Sequence, residues 1–182
     1  FKKNYLYGTK DYSTLIFGNY KEKCNIDVID FKILLILSQN ARTPILTLAK
    51  KSKLTPNAIN YRLKNLKKRG IILGYRAAID VNKLGYQHFK VFLMLQNITK
   101  EGKKRIMEYL KQEPNIVYLT EAIGKSDIEF EAEIKNSTKL YDFIKKVKVD
   151  FPNLIKDYEV ILTYKEHRIN YLPNVGIPEN IQ

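Results

Sequence analysis

Between Phe31 and Ile79 the chain carries eleven lysines and arginines and no aspartate or glutamate. Inside that stretch, residues 56–69 read PNAINYRLKNLKKR. Asparagine can read a base edge through a paired donor and acceptor, and lysine and arginine can hold phosphate. Base reading is therefore expected from Asn57, Ala58, Asn60 and Tyr61, and a grip on the nucleic-acid backbone from Arg62, Lys64, Lys67, Lys68 and Arg76. A merely solvated helix face usually mixes charge signs. An acid-free segment that interleaves base-reading and phosphate-holding side chains points to a nucleic-acid partner instead.

Those side chains need a scaffold, and the flanking residues predict one. Thr43-Pro44 and Thr55-Pro56 each read as a helix start, with threonine as the cap and proline in the first turn. Both threonines are counted with the DNA-binding residues. Ser52-Lys53-Leu54 between the two helices is a short turn, so the whole is a helix–turn–helix. Ile59, Leu63 and Leu66 recur at helical spacing and form the face turned to the core, flanked by Ala58 and Tyr61. Gly70 stops the helix. Ile71-Ile72-Leu73 and the run from Tyr75 to Ile79 then read as two short strands, a wing. A preceding helix is expected from Asp27 to Ser38, with Asp27 as its cap and Asp30 favouring the dipole of its first turn.

Composition narrows the rest. The 182 residues are 45% apolar, too much for a disordered chain, and hold no apolar run near the roughly 20 residues needed to span a bilayer. A cytoplasmic protein without a membrane partner is the default reading, although a start at Phe1 rather than methionine leaves room for an upstream piece. One cysteine, Cys24, and two histidines, His88 and His167, give a metal or cofactor little to build on, and none is expected. The net charge of +13 is polarised: residues 31–80 carry +10, whereas residues 121–182 carry −2. Residues 1–24 are an arm or remnant, with Tyr5–Tyr7 and Tyr12–Phe17 read as two short strands.

After a loop at residues 81–85, the second half alternates two periodicities. Strands are expected at His88–Ile98, Ile116–Ile123, Asp127–Ile134 and Ile155–Tyr164, and helices at Lys100–Gln112 and Lys139–Phe151. This βαββαβ order is ferredoxin-like. The fold class is thus α+β: a winged helix–turn–helix over residues 25–80, a ferredoxin-like domain over 86–170, and a Pro-containing tail over 171–182. One face of such a sheet lacks helices. The glutamates Glu129, Glu131 and Glu133, with Phe89 and Tyr118, are expected on it, and pairing of two copies through that face would cover it.

The segment from Ile26 to Tyr86 resembles the N-terminal half of the leucine-responsive regulatory protein (Lrp/AsnC) family of transcription regulators. The resemblance rests on Ile26-Asp27-x-x-Asp30, Asn40-Ala41-Arg42, Leu54-Thr55-Pro56, Arg62-x3-Leu66 and Gly70-Ile71-Ile72-x-Gly74-Tyr75. It implies a sequence-specific regulator of double-stranded DNA, assembled as a homodimer or up to an octamer. Ala122-Ile123-Gly124-x-x-Asp127 resembles a turn of the family's ACT-like effector domain. By that resemblance Thr120, Ala122, Ile123, Gly124, Lys125, Ser126 and Asp127 are effector candidates, the effector being a small molecule such as an amino acid. Gly124 and Asp127 could equally be no more than good turn residues. Sirohaem decarboxylases share the two-domain layout, which keeps an enzyme centred on His88 as an alternative, but no carboxylate pair or nucleophile–base pair accompanies that histidine. A sensing or assembly module without a specific DNA target is the other alternative.

Overall fold

The computed structural model describes residues 4–7, 25–167 and 171–172. These fall into two compact units, residues 25–77 with 167 and 171–172, and residues 78–166 with 4–7.

In the first unit, α1 spans Val28–Gln39, α2 Ile45–Ser52 and α3 Pro56–Lys68. The Asp27 carboxylate caps α1 by accepting from the Asp30 N–H at 2.7 Å. Lys53, in the left-handed region at φ 54°, ends α2, and the Leu54 N–H returns to the Ala49 carbonyl at 2.9 Å. Two residues on, the Thr55 hydroxyl accepts from the Ala58 N–H at 3.2 Å, and Pro56 occupies the first turn of α3. The Asp27 and Thr55 side chains each satisfy a donor that a helix start otherwise leaves orphaned. Ile33, Leu48, Ala49 and Ile59 form the small core beneath.

Three expectations for this half and the N-terminus are corrected. Thr43 does not cap a helix: α2 starts at Ile45 with Pro44 at the cap, and the Thr43 hydroxyl donates to the Asn40 carbonyl at 2.7 Å. The Asn40 turn has already claimed it. No strand forms across residues 71–80. Gly70 at φ 71° ends α3, the N–H groups of Ile71 and Ile72 both turn back to the Leu66 carbonyl, and the exposed segment beyond joins no ladder among the described residues. Asn4–Tyr7 is one helical turn rather than a strand. The expected strand at Tyr12–Phe17, Cys24 and the tail from Pro173 lie outside the described residues.

The second unit has the expected βαββαβ order: β1 Gln87–Leu95, α4 Lys100–Lys111, β2 Ile116–Glu121, β3 Ile128–Ile134, α5 Ser137–Asp150 and β4 Ile155–Thr163. The sheet order is β2-β3-β1-β4, with every neighbouring pair antiparallel. Alternate residues of the central strands, Val91, Leu93, Ile128 and Phe130 among them, pack under Ile106 and Leu110 of α4 and Leu140, Ile144 and Val147 of α5. Period two on the strands meets period 3.6 on the helices, and both are apolar on the shared face.

The opposite face differs from expectation in two places. Phe89 is buried with the helix-side core, because it stands in phase with Val91 and Leu93. Glu133 is on the outer face as expected but is buried, under the Tyr5 hydroxyl that donates to its carboxylate and beside His88. The outer face is crossed by charge pairs: Lys90 to Glu129 at 3.0 Å, and His88 to Glu131 at 3.3 Å and to Glu133 at 3.7 Å. Cross-strand neighbours on one face are within reach of such pairs, directly or on the diagonal. The sheet therefore screens part of its own bare face.

A register shift falls between Met94 and Leu95, and there the Asp127 carboxylate accepts from the Leu95 N–H at 2.7 Å. Losing that acceptor leaves a donor unpaired at a buried residue. Asp127→Ala is expected to lower the unfolding free energy of this unit by about 1–3 kcal/mol. Urea titration checks this, and Asp127→Asn, which keeps an oxygen in place, should lose less.

Candidate nucleic-acid interface

Helix α3 has two differently used polar flanks. Asn57, Asn60, Tyr61, Lys64 and Lys68 repeat at three- and four-residue spacing and are all exposed, opposite the buried Ile59 and Leu66. This stripe offers amide groups, an aromatic ring and two ammonium groups to a facing surface. Lys67, also exposed, stands over the Tyr75 ring at 5.0 Å.

The adjacent flank carries Ala58, Arg62, Asn65 and Arg69 and is turned toward the start of α1. Together with Tyr61, Leu54 and residues 25–27 and 30 it lines a cavity of about 590 Å³. Arg62 does not stand free for phosphate. Its Nη1 lies 2.6 Å from Asp27 Oδ2 and 2.7 Å from Asp30 Oδ1, and Asp30 is buried. These two carboxylates hold the guanidinium above its ordinary value. Burial would raise the Asp27 carboxyl, but the Asp30 N–H and Arg62 outweigh it and hold it below the usual range. Arg69 donates to the Asn25 carbonyl, and Arg76 both donates to the Tyr171 hydroxyl and stacks 4.8 Å from that ring. The expected DNA-facing set thus divides. Asn57, Asn60, Tyr61, Lys64 and Lys68 stand together on the open stripe. Ala58 and Arg62 line the inner flank, Arg76 is engaged elsewhere, and Thr43 and Thr55 bond to their own backbone. The role of Asp27 and Asp30 as partners of Arg62 was missed in the sequence. The only signal was that Arg62 is the one arginine inside a helix otherwise punctuated by lysines.

A family profile described as winged helix-turn-helix DNA-binding matches residues 26–72. An uncharacterized HTH-type transcriptional regulator of Pyrococcus furiosus is 33% identical over 130 residues, 70% of this chain and 83% of the relative. The regulatory protein AsnC of Haemophilus influenzae is 44% identical over 62 residues, 34% of this chain and 41% of that protein. The chain belongs to the Lrp/AsnC family of transcription regulators. A solved structure of the Neisseria meningitidis transcriptional regulator NMB0573 in complex with L-Met superposes with a TM-score of 0.72 at 20% identity, over 82% of this chain and 97% of that one, and shows the fold alone.

In this Lrp/AsnC chain the candidate effector turn separates into a frame and a rim. Ser126 is buried, with its hydroxyl donating to Glu129 Oε1 at 2.9 Å, and Asp127 is bonded to β1 through both backbone and side chain. Thr120, Ile123 and Gly124 are exposed. Gly124 adopts φ 133°, a conformation that side chains rarely take. Lys125 pairs with Glu159. His88, the centre of the enzyme alternative, sits between Glu131 and Glu133. No carboxylate pair was expected beside this histidine, but Glu131 and Glu133 form one, because the strand pairing sets both glutamates across from β1. The matched relatives are named as regulators.

Arg62→Met should destabilise the helix–turn–helix unit by about 2 kcal/mol, by stranding the buried Asp30, and leave the salt dependence of DNA binding at its original slope. Lys64→Ala should leave stability unchanged and flatten that slope by about one unit, both read by thermal unfolding and by binding across a salt series. His88 is raised to about 9 by hydrogen bonds to Glu131 and then Glu133, which outweigh burial. Its folded value lies above its unfolded one. The stabilisation is therefore complete below about pH 6.5 and lost as pH rises through about 9. Unfolding midpoints measured from pH 6 to 10 should fall in that window, and His88→Gln should remove the fall.

Proposed function

We propose that this chain is a cytoplasmic, sequence-specific regulator of double-stranded DNA that acts as a homodimer or a larger assembly up to an octamer, tuned by a small effector. The observation that carries it is the open stripe of α3. Among the described residues no hydrogen bond or ion pair engages the side chain of Asn57, Asn60 or Tyr61, and all three are exposed within a segment of eleven bases and no acids. Asn57, Asn60 and Tyr61 read base edges. Lys64, Lys67 and Lys68 hold the phosphates, with Thr55 setting the start of the helix. Ala58 lets the inner flank of α3 approach the α1 cap, and Arg62 fixes that approach. Pairing suits such a helix, because two copies read two half-sites about one helical turn apart.

The effector reading rests on the rim of the turn, exposed at Thr120, Ile123, Gly124 and Lys125 and half-buried at Ala122, held in shape by Ser126 and Asp127. An amino acid is the class in view, since the superposing Neisseria regulator is a complex with L-Met.

The test is footprinting on genomic fragments, including the chain's own promoter, at two salt concentrations. Protected sites that persist at the higher salt, with Asn57→Ala relaxing the preference at one base pair per half-site, are the expected result. Binding that fades evenly over all fragments would mean a basic surface without a sequence target, and would sink the proposal.

A further inference from the structure

Arg76 carries one of the eleven positive charges of the acid-free segment, yet a distant residue of the chain already occupies it. Its Nη2 donates to the Tyr171 hydroxyl, and the guanidinium stands 4.8 Å from the centre of that ring. Both residues belong to the helix–turn–helix unit. Tyr171 is 58% exposed, so core packing does not account for its place. Arg76 lies beside the lysine flank of α3: the ring of the residue before it, Tyr75, is 5.0 Å from the Lys67 ammonium.

We propose that Tyr171 sets the affinity of this chain for DNA by competing with backbone phosphate for Arg76. This competition deepens the reading of α3 and its flank as the DNA-facing surface and rests on it. A grip on phosphate and the contact with Tyr171 call on the same atoms. Both bidentate grips that a planar guanidinium can offer a phosphate draw on Nη2. The Tyr171 hydroxyl has taken an N–H of that nitrogen, and its ring covers one face of the group. The hydroxyl is the weaker acceptor, since a hydrogen bond to an ionised oxygen is roughly twice as strong. Phosphate can therefore displace Tyr171, but the contact has to break first. The apparent affinity falls by the fraction of molecules in which Tyr171 has let go of Arg76. Salt shifts this balance in one direction. Release of counterions drives the phosphate contact, which weakens as salt rises. A cation held by a neutral hydroxyl and a ring releases none, so Tyr171 regains Arg76 at high salt and yields it at low salt.

Binding of the full chain to one duplex across a salt series tests the competition. Tyr171→Ala should tighten binding roughly fivefold at low salt, and the gain should shrink as salt rises, so that the salt slope steepens by up to about one unit. Tyr171→Phe keeps the ring and loses the acceptor, and should give part of that gain. In an Arg76→Gln background Tyr171→Ala should change nothing, because the group competed for is gone. Unchanged affinity and slope in Tyr171→Ala would reduce the contact to a tether of the chain and overturn the proposal. Weaker binding would overturn it as well, by showing that Tyr171 presents Arg76 to DNA. Lys64→Ala on the same duplex separates the two readings. If it flattens the slope while Tyr171→Ala leaves affinity and slope alone, the competition fails and the DNA-facing reading of α3 stands. If neither variant has an effect, both fail.

Discussion

Helix α3 must be held firmly by one flank while the other is left bare, and Arg62 resolves that tension. A helix that keeps amide and ammonium groups for another molecule cannot also use them to pack. Its apolar contribution is small, with only Ile59 and Leu66 buried in thirteen residues. The guanidinium of Arg62 reaches across to Asp27 and Asp30, the cap and first turn of α1, and so ties the middle of one helix to the start of another. Arginine suits the task better than lysine, since its planar fork can serve two carboxylates from one position. The same two aspartates also cap α1 and favour its dipole. One ion-pair triad thereby fixes two helices, and the acids it consumes are the last before the acid-free stretch begins.

The second unit handles charge in the opposite way. Its strands interleave glutamates with lysine and histidine, so that the outer face becomes a lattice of near-neutral pairs rather than a field. Such pairs on a half-exposed sheet contribute little stability each. Their effect here is to keep the sheet face from presenting either a large apolar patch or a strong potential. The helix–turn–helix unit, with its charge left uncompensated, is where the molecule's positive field originates.

Element types were legible almost throughout, because helices and strands here carry strong periodicity: all four strands and both helices of the second unit, and all three of the first, were expected within a few residues of where they lie. What failed depended on information that the sequence carries only jointly. Thr43 and Thr55 have the same neighbours in proline, yet only Thr55 caps, because Asn40 stands three residues before Thr43 and takes its hydroxyl. The wing was read from β-branched residues, but a strand is a property of two segments, and among the described residues none pairs with residues 71–80. Phe89 was misplaced by one residue of strand phase, which flips a side chain to the other face. Arg62 counted as a free cation because its partners sit 35 and 32 residues away. A charge tally cannot see a tertiary ion pair.

Association of two copies of a chain carrying +13 is opposed by like-charge repulsion unless the contact lies away from the basic unit, since screening at physiological salt operates over about 8 Å. Residues 121–182 carry −2, so a contact through the second unit would join two copies where their charge is nearly balanced and slightly of the other sign. In a paired regulator of the kind proposed, DNA would add to the stability of the pair rather than compete with it. A polyanion bound across two basic units removes the repulsion between them, so that assembly and binding are linked and each strengthens the other by the same factor.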